Sequence, residues 1–281
     1  GTAYNKSMGG VGIASRNKRF INYLNPAAVT ARDTLSFMAD FGLSEKNTAF
    51  AQDGVRSAKN TFNMYNFVVG ITPFSDVGYD FSSIEKRDEI IGNTGNITYD
   101  SYGTGSVYQI FASAGATFWK RFSVGAEVLF LFGNIDKVTN MNFSDNSYRS
   151  LNSGNDLTIR GVTGKFGVQY EQKLASNVSM VVGATYRLKS KMRGYSTDYK
   201  YAVQSSMTDT LRHNVGVLKD EGMNFGDELG IGISIKSGER WSAEFDYVRS
   251  DWRSSGMDKA PGFATVGTSA FSSSVSQSFR A

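Results

Sequence analysis

A single histidine is the first candidate for chemistry in this sequence. His213 lies in the stretch TDTLRHNVG, and it is the only histidine among the 281 residues. A serine–histidine pair could activate a hydroxyl nucleophile for hydrolysis, but a lone histidine in so polar a stretch predicts an exposed loop residue. Because cysteine is absent as well, a zinc site built from nitrogen and sulfur ligands is disfavoured.

Two further stretches have the composition of ligand sites but lack the necessary spacing. Residues 8–12 read MGGVG, whereas a phosphate-binding loop needs a Lys-Ser or Lys-Thr pair and a helix after its glycines. Residues 142–156 are rich in oxygen ligands but lack the ordered spacing of a calcium-binding EF-hand. We therefore predict that the protein is not an enzyme and holds no cofactor and no metal ion.

The charged residues are spread along the whole chain. There are 30 basic and 26 acidic residues, which give a net charge of +4. A nucleic-acid interface would need the basic residues to cluster, so we predict an ordinary solvated surface and no nucleic-acid partner.

Alternation with a period of two is the dominant pattern of the sequence. Apolar side chains occupy every second position, and the positions between them hold glycine, serine, threonine and ionisable residues. The rows cover residues 35–43, 122–132, 162–170, 180–188, 229–235 and 241–247. The pattern predicts an all-β protein whose strands have one apolar face and one mixed face.

The mixed face carries ionisable side chains of both signs. They could form a transport path or a catalytic dyad, but cross-strand ion pairs that brace the wall are the favoured interpretation. The set comprises Asp40, Asp80, Glu127, Lys165, Glu171, Arg187, Lys189, Glu244 and Asp246.

Short and long connections alternate between the predicted strands. Short ones are expected at residues 73–76, 120–121, 175–177 and 237–239, and long ones at residues 45–60, 86–104, 137–156, 191–222 and 253–272. Tight turns at one rim and long loops at the other are typical of outer-membrane barrels. Soluble sandwiches use Greek-key connections and do not sort loop length in this way. We therefore predict an antiparallel up-and-down transmembrane β-barrel.

The dimensions agree with a membrane barrel. The apolar row at residues 122–132 spans about 33 Å at the usual rise per residue, and a tilt of about 40° projects it to about 25 Å, the height of the apolar band. The sequence predicts nine strands and the start of a tenth at residues 275–281. Since membrane barrels must close, we expect C-terminal strands to be missing from this fragment.

Residues 1–33 show neither strand alternation nor helical periodicity. Two interpretations of this segment remain open. It could be an N-terminal hatch that fills the lumen of a barrel formed by residues 34–281, or a disordered periplasmic tail, the usual fate of untethered termini. The hatch is favoured because a tail would leave Phe20, Ile21, Tyr23 and Leu24 in water.

Three stretches resemble the outer-membrane long-chain fatty acid and aromatic hydrocarbon channels of the FadL and TodX type, in a Bacteroidetes-like branch. They are the glycine-rich lead at residues 8–12, the motif Asn25, Pro26 and Ala27, and the late hairpin ELGIGISIKSGERWSAEFDYVRSDW at residues 228–252. The resemblance implies about fourteen strands in the full protein, an even-numbered barrel, with Asn25, Pro26 and Ala27 in the hatch. A related branch acts as an outer-membrane component of the type nine secretion system.

The resemblance implies passive uptake of hydrophobic small molecules, such as long-chain fatty acids or hydrocarbons. The hatch residues expected to line the ligand pocket are Tyr4, Met8, Ile13, Phe20, Ile21 and Leu24. The alternative is a non-transporting barrel that acts as a docking component of a secretion system. In either case we expect a monomer, integral in the Gram-negative outer membrane, in contact with lipid and lipopolysaccharide and with a hydrophobic ligand or detergent.

Overall fold

The computed structural model describes residues 2–31, 41–52, 55–66, 71–86, 96–145, 147–204, 207–218, 222–238, 240–256, 265–266, 269–270 and 273–281. Two helical turns, α1 (Ala3–Ser7) and the 3₁₀ helix η1 (Pro26–Ala31), lie in the N-terminal segment, residues 2–31. Among the described residues there is no helix long and apolar enough to cross a bilayer.

Strands make up nearly all of the remaining described chain, so the protein is all-β. They are β1 (Phe41–Gln52), β2 (Val55–Asn66), β3 (Ile71–Lys86), β4 (Asn96–Phe118), β5 (Phe122–Phe143), β6 (Ser150–Ala175), β7 (Val178–Arg187), β8 (Ser190–Lys191), β9 (Arg193–Gln204), β10 (Met207–Val217), β11 (Asn224–Phe225), β12 (Asp227–Ser237), β13 (Trp241–Asp251), β14 (Thr265–Val266), β15 (Ser269–Ala270) and β16 (Val275–Arg280).

The main sheet is antiparallel and curled. Its strands follow the order β1-β2-β3-β4-β5-β6-β7-β12-β13-β16, and the hairpin of β9 and β10 pairs with the far part of β6. The pairs β8–β11 and β14–β15 are separate small sheets. In the described part of the chain, the main path contains ten strands, and the last of them is Val275–Arg280. The sequence predicts the start of a tenth strand at this place.

The exposed face of the curled sheet is apolar and the buried face carries polar residues, which is the reverse of the arrangement in a soluble protein. On β5, Val128 is 61% exposed, whereas its neighbour Glu127 is 3% exposed. On β6, Phe166 is exposed and Gln169 is buried. Because successive side chains of a strand point to opposite faces, the apolar rows form an outer face and the mixed rows form an inner face. The predicted assignment of the two rows to opposite faces is confirmed on these strands.

Three tight turns stand where the sequence predicts them. They join β4 to β5, β6 to β7 and β12 to β13 through residues 119–121, 176–177 and 238–240. All three lie at one end of the sheet, which we call the turn end. In the turn between β4 and β5, Trp119 and Lys120 adopt positive φ angles of 50° and 61°, which a tight reversal of the chain requires.

The predicted turn at residues 73–76 is wrong. β3 runs through it, and the ladder with β4 shifts its register between Pro73 and Ser75. Proline has no N–H for a ladder bond, and a bulge is one of the few places in a sheet that accepts it. Pro73 therefore marks a bulge here and not a chain reversal.

Four of the predicted long loops are also corrected, because strands occupy much of their described parts, whereas most of the fifth, residues 253–272, lies outside the described residues. β1 and β2 pair from Phe41 with Asn66 to Gln52 with Val55, and β9 and β10 form a hairpin within residues 191–222. Ladder bonds join backbone groups and need no apolar side chains, so the strands continue beyond the apolar rows by which the sequence defines them. The predicted start of the first strand, residues 34–40, lies outside the described residues.

Candidate functional site

The N-terminal segment lies on the inner face, close to the turn end. Asn25 and Ala27 have no exposed surface. The Asn25 side chain donates to the backbone oxygens of Ile13 at 2.7 Å and of Val168, on β6, at 3.1 Å. Its Oδ1 accepts a bond from the Ala27 N–H at 2.9 Å. The motif thus ties two parts of the segment to each other and to the sheet.

Glycines of the inner face make room for this contact. Gly125 on β5 pairs with Gly167 on β6, and Gly183 on β7 pairs with Gly232 on β12. A Cβ added at any of the four would overlap backbone or side-chain atoms of the segment. We call these four residues the glycine band. They let the segment approach the sheet backbone, which is one of the structural uses of glycine within strands.

A buried carboxylate fixes the next part of the segment. Asp246 on β13 is 1% exposed, and its Oδ2 accepts bonds from the backbone N–H groups of Gly12 at 2.7 Å and Ile13 at 3.0 Å. The Gln169 side chain donates to the Ile13 oxygen at 2.9 Å. Because both polar groups of the Ile13 backbone are bonded, this turn of the segment can be buried at low cost.

Arg16 joins the segment to β5 and β6. Its Nη1 donates to Ser123 Oγ at 2.9 Å and to Gln169 Oε1 at 3.0 Å, and its Nε lies 3.4 Å from Glu171 Oε2. Burial lowers the pKa of the Arg16 guanidinium from its ordinary value, and the charge of Glu171 opposes that shift. The guanidinium stays charged and replaces its hydration with protein oxygens.

A cavity of about 790 Å³ opens beside the segment at the turn end. Its wall is formed by residues 15–20 of the segment and by the turn-end parts of β6, β7, β12 and β13. Most of the lining side chains are polar or charged. By size the cavity could hold a ligand of several residues or a small molecule, but its lining does not resemble an apolar ligand pocket.

Charged side chains cross the middle of the inner face. Register places Glu127 opposite Lys165, Lys165 opposite Arg187 and Arg187 opposite Glu228. Arg187 Nη2 lies 3.5 Å from Glu228 Oε2, and Ser113 donates to Glu127 at 2.6 Å. The two outer pairs of this row, Glu127 with Lys165 and Arg187 with Glu228, join opposite charges and favour the interpretation as braces of the wall, whereas Lys165 and Arg187 carry the same charge. Asp40 and the side chain of Asp80 lie outside the described residues.

An apolar cluster fills the inner face beyond the charged row. Leu131 and Leu157 of the sheet and Leu218 and Met223 from the connection after β10 are completely buried. Phe225 packs on Gly161 of β6. Leu131 is six residues from Gly125, which is about 20 Å along an extended strand. The inner face is therefore occupied by the N-terminal segment near one end and by this cluster farther along.

The six predicted pocket residues fall into two groups. Tyr4 and Phe20 stack with ring centroids 4.3 Å apart and line the cavity. Ile13 and Ile21 are buried, Leu24 packs near Gly12, and Met8 is partly exposed at the end of α1. The structure does not bring the six residues together around one space, and their ligand-binding role stays a prediction.

The remaining chemical candidates lie away from this site. His213 is exposed, as the sequence predicts, but it sits in β10 opposite Tyr199 and not in a loop. Residues 142–156 are mostly strand, and Asp145 Oδ1 accepts a bond from the Ser147 N–H at 2.8 Å. Asp145 therefore stabilises its own turn, and its backbone oxygen also accepts a bond from the Tyr148 N–H at 3.1 Å.

Sequence reasoning missed the anchors of the segment. The sequence pattern does not mark Arg16 or Gln169 as site residues, and it places Asp246 among the wall charges. A signal is present for Gln169, which shares a mixed-face row with Gly167, whereas Asp246 meets its glycine, Gly232, only through the pairing of β12 with β13. Glycine beside a buried polar side chain on a strand marks a place where another backbone approaches.

The fold and site define a class: a curled antiparallel sheet with an apolar outer face and a mixed inner face that holds the N-terminal segment. A family model described as BamG matches residues 1–263. The chain belongs to the BamG family. No curated protein and no solved structure matches the chain. The resemblance to channels of the FadL and TodX type stays a prediction.

Proposed function

We propose that the protein is an integral outer-membrane β-barrel, closed by its N-terminal segment as a hatch, that serves as a non-transporting docking component in outer-membrane biogenesis. The observation that carries the proposal is the filling of the inner face. Asn25 and Ala27 are completely buried near the turn end, and Leu131, Leu218 and Met223 are completely buried farther along. A surface filled in this way supports a fixed plug more than a path for solute.

The outer face supports the membrane part of the proposal. Val128, Val162, Phe166 and Ile231, on three apolar rows, are each about half exposed or more. Such rows would cost free energy in water, whereas apolar residues outside and polar residues inside are the arrangement of an outer-membrane barrel. The BamG family name supports an outer-membrane biogenesis context.

Val128→Arg should destabilise the protein by about 2–4 kcal/mol in a bilayer, because arginine would face hydrocarbon near the midplane. Val215→Arg is the matched control, since Val215 is 56% exposed but pairs with Thr197 in the polar hairpin of β9 and β10. The free energy of unfolding in urea would be measured for protein folded into phosphatidylcholine vesicles. Equal losses for the two variants would contradict a membrane-facing outer surface.

Passive uptake of hydrophobic molecules is the second candidate function. The observation that favours it is the stacked pair of Tyr4 and Phe20 in the cavity wall. Against it stand the charged lining of the same cavity and the burial of Ile13 and Ile21 in packing contacts. A fatty acid would gain little from a cavity whose lining is mostly polar.

The two functions differ in transport and in assembly. A strain that lacks the gene and the same strain complemented with it would be compared for uptake of a fluorescent long-chain fatty acid. The docking function predicts equal uptake, together with a complex of defined composition that survives purification of the tagged protein in mild detergent. Faster uptake in complemented cells and a protein that purifies alone would reverse the order of the two candidates.

A further inference from the structure

The cavity at the turn end is strongly basic. Its described wall contains Arg16, Lys18, Arg19, Lys173, Lys236 and Arg240, against the two carboxylates of Glu171 and Glu244. Six positive and two negative side chains give a net charge of +4, which equals the net charge of the entire chain. Since basic and acidic residues balance elsewhere, this concentration of positive charge is a local feature of the cavity.

The two carboxylates have partners inside the protein. Glu171 pairs with the Arg16 guanidinium at 3.4 Å, and Glu244 accepts a bond from Ser234 Oγ at 3.1 Å. Register places both in one row across the sheet, because Glu171 is opposite Val181, Val181 is opposite Ser234, and Ser234 is opposite Glu244. This row is the deeper one, next to Gln169 and Asp246, which hold the segment.

The outer row of the cavity is basic. Lys173 on β6 and Lys236 on β12 are both paired with Ser179 of β7, which lies between them. Two strand spacings separate the lysine backbones by about 10 Å. Lys18 and Phe20 are exposed on the other side of the cavity, so cations face the opening from both the segment and the sheet.

We propose that this cavity binds an extended acidic segment of a partner protein, with its carboxylates at Lys18, Lys173 and Lys236 and an apolar side chain against Phe20. The proposal rests on the proposed docking function and names the chemistry of the partner. In an extended chain, the side chains of residues i and i+2 share one face about 7 Å apart, and the long side chains of Lys173 and Lys236 can reach both of them. A cationic wall that faces the opening favours an anionic partner through charge complementarity.

The location of the cavity favours a peptide over a lipid. A phospholipid headgroup in the cavity would need apolar surface nearby for its acyl chains. The exposed apolar rows, including Phe166 and Ile231, lie on the opposite face of the sheet. The cavity wall itself is formed largely by serine, asparagine and charged side chains.

The test uses the full chain in detergent micelles and fluorescein-labelled octaglutamate as the probe, with octaglutamine as the neutral control. Lys18→Glu combined with Lys173→Glu changes the cavity charge from +4 to zero, since each reversal removes two charges. We expect this variant to bind octaglutamate about tenfold more weakly or worse. Lys191→Glu combined with Arg193→Glu changes the net charge of the chain equally at exposed positions outside the cavity and should leave affinity unchanged.

Other outcomes overturn the proposal. Equal weakening in both double variants would show a general charge effect, and equal binding of octaglutamine would show that the carboxylates are not recognised. Phosphatidylglycerol vesicles that bind more tightly than octaglutamate, with the same dependence on Lys18 and Lys173, would identify a lipid site. Displacement of the peptide by inorganic phosphate at millimolar concentration would identify a site for a free anion.

The failure of this inference is distinguishable from failure of the docking function. If the purified complex persists in cells that carry Lys18→Glu and Lys173→Glu, and octaglutamate binding is also unchanged, the acidic-segment inference is overturned while docking stands. If the unmodified protein purifies alone, docking fails whatever the peptide result. If the double variant loses both the complex and octaglutamate binding, both proposals are supported.

Discussion

Gly167→Val should release the N-terminal segment from the sheet. A Cβ at position 167 would overlap Asn25 Oδ1 and lie 2.8 Å from Pro26 Cδ. Overpacking of this kind costs about 1–3 kcal/mol, and displacement of Asn25 would also break its bonds to Ile13 and Val168, each worth about 1 kcal/mol. Together these losses are large compared with the free energy that a few hydrogen bonds and packing contacts give to the docking of a short segment.

The measurement is hydrogen–deuterium exchange of peptides that cover residues 11–28. We expect slow exchange in the unmodified protein and exchange at least about a hundredfold faster in the variant, as about 3 kcal/mol of lost local stability requires. Gly164→Val is the control on the same strand, because its Cβ would lie at an ordinary 3.5 Å from Leu188 Cδ1. Unchanged protection in Gly167→Val would contradict tight docking on the glycine band.

Asp246→Ala should free the part of the segment around Gly12. Its removal leaves the N–H groups of Gly12 and Ile13 without their acceptor in a buried site, at about 1–3 kcal/mol for each group. Exchange of these two amides, followed by NMR in micelles, should accelerate strongly, while the ladder between β12 and β13 keeps its protection.

Asp246→Asn separates the hydrogen bonds from the charge. Asparagine keeps one oxygen that can accept from Gly12 and Ile13, so it should restore part of the lost protection. If Asp246→Asn and Asp246→Ala accelerate exchange equally, the negative charge holds the segment and hydrogen bonding does not. If neither has an effect, the anchor assigned to Asp246 is wrong.

The face of each residue could be predicted from the sequence, but the length of each strand could not. Alternation identified the exposed row of Val128 and the buried row of Glu127, because the pleat imposes a period of two on every strand. β4 extends to Asn96 and β6 begins at Ser150, in stretches without apolar rows. There the pairing depends on backbone bonds, which leave no hydrophobic pattern in the sequence.

The site could be predicted only in outline. Asn25, Pro26 and Ala27 were expected in the hatch, and the structure places them against the inner face. Gly125 and Gly167 are 42 positions apart, and their contact depends on the register of two ladders. Arg16 lies in a stretch without periodicity, so no pattern predicts that its side chain reaches Ser123 and Gln169.

The anchor at Asp246 also constrains the order of assembly. Gly12 and Asp246 are separated by 234 positions, so their contact closes a loop that contains most of the main sheet. Closing so long a loop is entropically costly until the strands between its ends are paired. The N-terminal segment should therefore remain undocked through most of folding, and the cavity beside it should form only after β13 has joined the sheet.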